Sequence, residues 1–250
     1  MTHADVGVFG GSGFYAFLDD VEEHTVSTEF GEPSAPITIG QLGEARVAFI
    51  PRHGRGHEWP PHRVNYRANV AAMRELGVRA LLAPFAAGSL QPTVHPGDFV
   101  VVDQFVDRTS GRADTFYDRF ENGPMHVSVA DPYDSRLRQE LVRAANERDV
   151  TVHDGGTVVV VQGPRFSTRA ESAWFRGQGW SVINMTQYPE VALACEAGIP
   201  YAGIALITDY DTGLDGHPDV EPVTQEQVFA FFESNVDRVR DVLFTAIPRL

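Results

Sequence analysis

The chain has 250 residues, 43% of them hydrophobic, and a formal net charge of −14. This length suits one domain with a large core, and no apolar run approaches the roughly eighteen residues of a membrane span. Nucleic acids and anionic membranes are bound by clustered Lys and Arg, so the acidic balance disfavours both as partners. The lone Cys195 and the absence of an apolar leader predict a cytoplasmic protein without an internal disulfide.

The first predicted element is a buried strand over residues 6–9 that runs into Gly10-Gly11-Ser12-Gly13. Backbone N–H groups of such a turn can point at an anion, and the Ser12 hydroxyl adds a donor. A dinucleotide-binding motif would need a further glycine and a helix, whereas an aromatic stretch follows here. The turn therefore indicates an anion site only in combination with other residues.

A second group of donors follows a predicted β-meander, whose paired strands cover residues 37–42 and 46–50. The second strand ends in Pro51-Arg52-His53-Gly54-Arg55-Gly56-His57. An arginine offers a planar donor fork to a phosphate, and His53 can donate beside it. In an acidic protein this local concentration favours an anion site over a solvated basic loop.

The middle of the chain alternates predicted strands and helices. Periodicity predicts helices over residues 66–76 and 134–147, and strands over 79–85, 99–102 and 157–161. We expect Ala86-Ala87-Gly88-Ser89 to form a turn whose small residues admit a ligand. The polar segment 110–124 has no periodicity, so it could serve either as a lid or as an interface element.

The loop before the next helix carries further candidates. Ser167 or Thr168 can cap that helix, and Glu171 would complete a capping box with Thr168. Phe166 is either a core residue or a stacking platform for a flat ligand.

Residues 181–213 form the stretch around which the other motifs are arranged. Apolar runs at 181–183 and 201–207 flank a helical pattern at 187–197, with Gly198 as its stop. We expect two adjacent strands joined by a helix. The loops at the carboxyl ends of such strands line a ligand crevice, here Asn184-Met185-Thr186 and Thr208-Asp209-Tyr210-Asp211. The two aspartates could equally be turn formers before Gly213.

The last predicted element is a long amphipathic helix over residues 223–245. Thr224 begins it, and it ends before Pro248. The histidines do not fall at metal-ligand spacing, so no metal site is expected. A G-x-S-x-G elbow and a P-loop are both missing, which disfavours the commonest hydrolases and nucleotide kinases.

Taken together, these motifs resemble the trimeric purine nucleoside phosphorylase family, in particular its 5′-methylthioadenosine phosphorylase branch. Each motif alone is weak, but eight in register over nearly the whole chain are specific. They are Gly10-Gly11-Ser12-Gly13, Pro51-Arg52-His53-Gly54, Val64-Asn65-Tyr66, Ala87-Gly88-Ser89-Leu90, Asp103-Gln104-Phe105-Val106-Asp107-Arg108-Thr109, Gly163-Pro164-Arg165-Phe166, Asn184-Met185-Thr186 and Thr208-Asp209-Tyr210-Asp211.

The resemblance implies an α/β fold, a single domain spanning residues 1–250 with a central mixed, partly barrel-like β-sheet flanked by helices. It also implies a homotrimer that needs no cofactor and uses inorganic phosphate as co-substrate. In this family phosphate attacks C1′ of a purine nucleoside and releases the free base through an oxocarbenium-like transition state. Catalysis then requires an anion cradle below C1′ and an acid beside the base.

The resemblance further assigns roles to individual residues. Asp209 would donate to purine N7. For that role it would have to be protonated or become so through the ligand, which burial and the carboxylate of Asp211, its catalytic partner, would both promote. The phosphate ligands would be Ser12, Arg52, His53, the Ala86 backbone N–H and Thr186. The nucleoside would contact Phe166, Ser167, Met185, Asp209, Asp211, Gln225 and Val228, with His126 reaching over from a neighbouring subunit.

The expected base is adenine. Branches that take hypoxanthine or guanine have Asn at the position of Asp209 and Glu at that of Ser167, where a carboxylate accepts from N1–H. Adenine has no N1–H and presents an amino donor instead, which suits Asp209.

Two departures from the family pattern bear on the ligands. Phe85 stands where the branch usually has Thr, so the side-chain hydroxyl that would bind phosphate at this position is missing. Gln225 stands near the 5′ group where an apolar residue is usual, so adenosine or another purine nucleoside remains an alternative to methylthioadenosine. A hydrolytic nucleosidase and a non-catalytic nucleoside-binding protein are further alternatives.

Overall fold

The computed structural model describes residues 2–121, 123–213 and 221–250. Its strands are β1 (Val6–Gly10), β2 (Val21–His24), β3 (Ile37–Leu42), β4 (Ala45–Pro51), β5 (Ala80–Ser89), β6 (Phe99–Val101), β7 (Gln104–Arg108), β8 (Val152–Asp154), β9 (Thr157–Val161), β10 (Val182–Asn184) and β11 (Tyr201–Asp209). Its helices are α1 (Tyr66–Glu75), α2 (Ser135–Glu147), α3 (Arg169–Gly177), α4 (Gln187–Glu196) and α5 (Gln225–Ala246), followed by a 3₁₀ turn, Ile247–Arg249.

All described strands belong to one mixed sheet, and β5 is its centre. The predicted meander is confirmed, since β2, β3 and β4 pair antiparallel in sequence order. Strand β1 then pairs parallel with β4 on one side and with β5 on the other. Strand β5 continues beyond β1 and pairs antiparallel with β10 and parallel with β11.

The far half of the sheet curls into a partly closed barrel. From β5 the ladder passes through β10 to β9 and then to β7. Strands β6 and β7 are nearly continuous in the chain, and β6 pairs antiparallel with β11, which returns to β5. The predicted α/β fold with a mixed, partly barrel-like sheet flanked by helices is therefore confirmed.

The helices cover the sheet in two groups. Helices α1 and α4 share one core cluster, with Val70 and Met73 on α1 and Leu193 on α4 fully buried. Helices α2 and α5 share the other, through residues such as Leu141 and Leu243. These apolar helix faces pack on the strands and hold them in place. The ends of the same strands carry the polar side chains of the site described below.

Two sequence predictions are wrong. Residues Ala86-Ala87-Gly88-Ser89 are not a turn but the last part of β5, because β11 pairs with β5 as far as Gly88. The strands flanking α4 are also not adjacent, since β5 lies between β10 and β11 and pairs with both. Local sequence cannot show such an insertion, because the intervening strand lies about a hundred residues earlier.

The predicted helix ends are largely confirmed. Thr168 and Glu171 form the expected capping box of α3, and Thr224 caps α5. Gly198 follows α4 with φ +68°, the left-handed conformation of a C′ glycine. Within the described residues, no helix has the length and apolarity needed to cross a membrane.

Candidate active site

A cavity opens where β1, β4, β5, β10 and β11 end, and the first turn of α5 lies across it. The structure brings together here every predicted site residue except His126. They are Ser12, Arg52, His53, Ala86, Phe166, Ser167, Met185, Thr186, Asp209, Asp211, Gln225 and Val228. Residues from seven separate segments of the chain thus converge on one site.

Arg52, at the end of β4, is fully buried and is held by a carboxylate. Its Nε donates to Glu190 Oε2 at 2.5 Å and its Nη2 to Glu190 Oε1 at 2.8 Å. Burial alone would lower the pKa of the guanidinium, but the Glu190 charge raises it overall, so Arg52 remains a cation. Its Nη1 has no hydrogen-bond partner among the described residues, although it is buried. A buried donor without a partner is costly, which indicates that a ligand completes it.

The free Nη1 faces the glycine turn after β1. A Cβ at Gly11 would lie only 3.4 Å from Nη1 and 3.1 Å from the Pro84 carbonyl oxygen. Glycine at this position therefore lets the turn approach both the guanidinium and β5. The fully buried Phe85 ring also lines the cavity here, which is the apolar departure noted in the sequence.

A buried polar network supports the ion pair from behind. Tyr201 Oη donates to Glu190 Oε1 at 2.7 Å and accepts from Gln187 Nε2 at 3.0 Å. Tyr133 Oη donates to Gln187 Oε1 at 3.2 Å. With these bonds every Glu190 carboxylate oxygen is satisfied, so the pair holds the Arg52 fork in one orientation.

His53 lies beside Arg52 with its ring almost enclosed. Its Nδ1 is 2.8 Å from the Trp59 carbonyl oxygen, which can only accept, so Nδ1 carries a proton. The ring stacks on His57 with centroids 4.5 Å apart. Burial, together with the nearby charge of Arg52, lowers the pKa of His53 to about 3. His53 is therefore a neutral imidazole in this site.

Asn184 organises the loop between β10 and α4. Its Oδ1 accepts from the backbone N–H of Thr186 at 2.6 Å and of Gln187 at 2.9 Å, and its Nδ2 donates to the Ala86 carbonyl at 3.0 Å. The amide thus caps the start of α4 and ties it to β5. Thr186 is thereby fixed at the cavity wall, 4% exposed.

Asp209 ends β11, and its surroundings strongly alter its carboxyl group. Its Oδ2 accepts from the Thr208 hydroxyl at 2.6 Å, and its Oδ1 accepts from the Asp211 N–H at 2.7 Å. Desolvation raises its pKa to about 6, and the Asp211 carboxylate contributes to the rise. A Cβ at Gly88 would lie 2.8 Å from Asp209 Oδ1, so the glycine is what admits this carboxyl to the sheet.

Asp211 lies beside two serine hydroxyls. Its backbone has φ +51°, and its side chain is 4% exposed. Desolvation raises its pKa, while the nearby Ser172 and Ser167 hydroxyls act in the opposite direction. Even so, Asp211 Oδ2 and both hydroxyls lack a partner in hydrogen-bonding geometry among the described residues. Ser167 and Asp211 line the cavity, so unused polar groups face the ligand at this end as well.

Arg112 fixes the two loops that form the cavity floor. Its guanidinium donates to the Met185 carbonyl at 2.8 Å, the Gln162 carbonyl at 2.9 Å and the Tyr188 carbonyl at 2.5 Å. It also lies 5.7 Å from the centroid of the Tyr66 ring. An arginine from the segment without secondary structure thus sets the position of Met185.

Sequence reasoning missed several of these residues. Glu190 and Arg112 were not singled out, because their partners lie 138 and 73 residues away along the chain. His57 and Phe229 also line the cavity. His57 belongs to the donor-rich loop already noted, and Phe229 is one position from Val228, so weak signals for both existed.

His126 does not line this cavity within its own chain. It lies in an exposed segment, with its ring 5.6 Å from that of Phe120. Among the described residues, no group of three or more His, Cys, Asp or Glu side chains is placed to hold a metal ion.

Comparison with known proteins agrees with this geometry. The model of the phosphorylase superfamily matches residues 5–248. S-methyl-5′-thioadenosine phosphorylase of Mycolicibacterium smegmatis is 52% identical over 243 residues, which cover 97% of this chain and 90% of the relative. A purine nucleoside phosphorylase of Streptomyces coelicolor is 50% identical over 253 residues, 99% of this chain and 89% of that one.

A solved structure is similar over the same length. It is a variant of adenosine/methylthioadenosine phosphorylase from Schistosoma mansoni in complex with methylthioadenosine. It is 40% identical with a TM-score of 0.92, covering 98% of this chain and 91% of its own. The fold is thus that of the nucleoside phosphorylases, and the chain belongs to the phosphorylase superfamily. Within it, the similar proteins include the methylthioadenosine phosphorylases, so the resemblance read from the sequence is confirmed.

Proposed function

We propose that the protein catalyses phosphorolysis of 5′-methylthioadenosine to adenine and 5-methylthioribose 1-phosphate. The observation that carries this proposal is the pairing, in one cavity, of a buried guanidinium with an unused donor and a carboxyl whose pKa is raised to about 6. An anionic nucleophile needs the first group, and a departing purine needs the second. Inorganic phosphate is the co-substrate, and no cofactor takes part.

The anion end of the cavity supports phosphate as the nucleophile. Arg52, Ser12, His53, Thr186 and the Ala86 backbone form its wall. A hydrolytic nucleosidase would attack with neutral water, which does not need the buried cation and unused Nη1 donor of Arg52 to bind it. The ion pair with Glu190 holds that donor in place before the ligand arrives, as preorganised catalysis requires.

The other end of the cavity supports adenine as the base. Asp209 can donate its proton to N7 as negative charge develops there, and its second oxygen can accept from the 6-amino group. Ser167 leaves room without placing a carboxylate against N1. Phe166 and Met185 supply apolar surface for the base and the ribose.

Adenosine is the second candidate substrate, because Gln225 lines the cavity together with Val228 and Phe229. These residues belong to the first turns of α5, and Val228 is three positions from Gln225 on one helix face. A 5′-hydroxyl would give the Gln225 amide a partner, whereas a methylthio group would rest on Val228 and Phe229. The apolar pair favours methylthioadenosine and the amide favours adenosine.

A substrate panel tests the proposal. Methylthioadenosine, adenosine and inosine are each incubated with and without phosphate, and free base and sugar phosphate are measured. We expect base release from the two adenine nucleosides only with phosphate, and little from inosine. Base release without phosphate would support a nucleosidase instead, and none under any condition would support a binding protein.

We further propose that the enzyme is a homotrimer that acts in the cytoplasm. Apolar side chains of the segment around His126 are exposed in the single chain, which a protein interface would cover; they are Tyr117, Phe120, Met125, Val127 and Val129. In the trimer, His126 would reach a neighbour's cavity at the 5′ end of the nucleoside.

A further inference from the structure

We propose that His53 recognises the proton of the phosphate, so that the site selects hydrogenphosphate over dianions of the same size that carry no hydrogen. The inference rests on the proposed function, because it concerns the anion end of that same cavity. It reverses the role expected from the sequence, in which His53 donates to the phosphate.

The argument begins with the tautomer. The Trp59 carbonyl oxygen accepts at 2.8 Å from Nδ1, so the Nδ1 proton is committed to the backbone. A neutral imidazole carries one N–H, which leaves Nε2 as an acceptor. Nε2 forms no hydrogen bond with any described residue, and the ring lines the cavity. The nitrogen left for a ligand is thus one that accepts.

The surroundings keep the ring neutral. His53 is 5% exposed, and the groups that face it are the permanently charged Arg52 and the stacked ring of His57. Both disfavour a second positive charge, and no described carboxylate contacts the ring to offset them. Burial accordingly lowers the pKa of His53 far below neutrality.

A neutral acceptor beside a fixed cation selects one form of phosphate. Hydrogenphosphate has one P–OH group and three oxygens that share the negative charge. Its hydroxyl can donate to His53 Nε2 while a charged oxygen accepts from Arg52 Nη1. This arrangement also orients the nucleophile, because the protonated oxygen is held at His53 and an unprotonated one is left to face C1′.

The test compares anions in the parent protein. Fluorophosphate dianion has the shape and charge of hydrogenphosphate, with fluorine in place of the hydroxyl, and sulfate is a second dianion without a proton. Their Kd values are measured by calorimetry at a mildly alkaline pH, where hydrogenphosphate predominates. We expect both to bind about tenfold or more weakly than phosphate, the cost of leaving one buried acceptor unpaired. Equal affinity of fluorophosphate and phosphate would overturn the inference.

Two variants sharpen the comparison. His53→Leu removes the acceptor, so the preference for phosphate over fluorophosphate should nearly vanish. Arg52→Met should weaken all three anions together and keep the preference. A His53→Leu protein that retains the parent's full preference would contradict the role of Nε2. If a variant does not fold, the anion comparison in the parent still decides.

A spectroscopic measurement adds an independent readout. Nitrogen NMR of the protein labelled at histidine should show His53 neutral, with its proton on Nδ1, before and after phosphate is added. A charged ring in the phosphate complex, together with equal binding of sulfate, would contradict the inference. If phosphate binds with the expected selectivity but stimulates no base release, the proposed function fails and the anion site stands.

Discussion

Arg52 and Glu190 form a buried two-point ion pair, with Nε–Oε2 and Nη2–Oε1 distances of 2.5 and 2.8 Å, and both side chains are fully buried. The pair uses the edge of the guanidinium formed by Nε and Nη2 and leaves Nη1 for the cavity. Because Tyr201 also donates to Glu190, the carboxylate cannot turn away from the arginine. The orientation of Arg52 is therefore set by a helix residue 138 positions later in the chain.

Glu190→Gln tests this pairing. The change leaves the Arg52 charge buried without its partner, which typically costs about 3–5 kcal/mol of folding stability. We expect a marked fall in melting temperature and a raised phosphate KM. Glu121→Gln, which breaks the exposed pair with Arg119, is the matched control and should change stability by less than about 1 kcal/mol. Similar small effects in both variants would rule out a positioning role for Glu190.

Asp209→Asn should lower turnover of adenine nucleosides by orders of magnitude, because the amide cannot pass a proton to N7. It should also relax discrimination against 6-oxopurine nucleosides, whose N7 and O6 accept from an amide. Steady-state kinetics with adenosine and inosine check both effects. Full activity of the variant on adenosine would remove Asp209 from the mechanism.

The same substitution should stabilise the folded protein at neutral pH. The folded-state pKa of Asp209, about 6, lies above the reference value of 3.8, so between these values the folded chain binds more protons than the unfolded one. The stability that this group contributes is therefore fully present below about pH 4 and is lost as the pH rises through about 6. Above about pH 6, the buried charge lowers the free energy of unfolding by up to about 3 kcal/mol, and the neutral Asn side chain avoids this loss.

Thermal melts of the parent and of Asp209→Asn from acid to neutral pH check this linkage. The two proteins should melt at similar temperatures near pH 4, and the variant should melt higher above about pH 6. A constant difference across the range would mean that Asp209 ionises in the folded state as it does in the unfolded one.

Gln225→Val should shift substrate preference at the 5′ end. Gln225 is exposed in the single chain, but a bound nucleoside would cover its amide. Leaving the covered amide unpaired costs roughly 1–3 kcal/mol, so its removal should raise the ratio of kcat/KM for methylthioadenosine to that for adenosine by about tenfold. The comparison uses both nucleosides with saturating phosphate. Glu226→Val, next along α5, exposed and outside the cavity lining, is the control that should leave the ratio unchanged. An unaltered ratio in Gln225→Val would place the amide in solvent.

His126→Ala tests whether the site is completed by a neighbouring subunit. We expect a trimer by sedimentation and a raised KM for methylthioadenosine, with phosphate KM unchanged, because the histidine would contact only the 5′ end. The measurement that decides is the combination of mass and kinetics. A monomeric parent with full activity would contradict this arrangement.

The family, the α/β class and most members of the site could be predicted from the sequence, because each depends on short-range patterns. The turn Gly10-Gly11-Ser12-Gly13, the loop after Arg52 and the aspartates after β11 all follow apolar strands, and strand ends meet at one edge of a sheet. Capping of α3 by Thr168 was equally local.

Only the tertiary structure shows the contacts of groups whose partners are distant in the chain. Ala86 and Gly88 belong to a strand, not a turn, because β11 pairs with them from more than a hundred residues away. Glu190 becomes the partner of Arg52, and the Trp59 carbonyl fixes the His53 proton, only once the chain is folded. Residue type sets which groups can donate, accept or carry charge, but burial and neighbours set which of them do so, since both depend on contacts that no local pattern encodes.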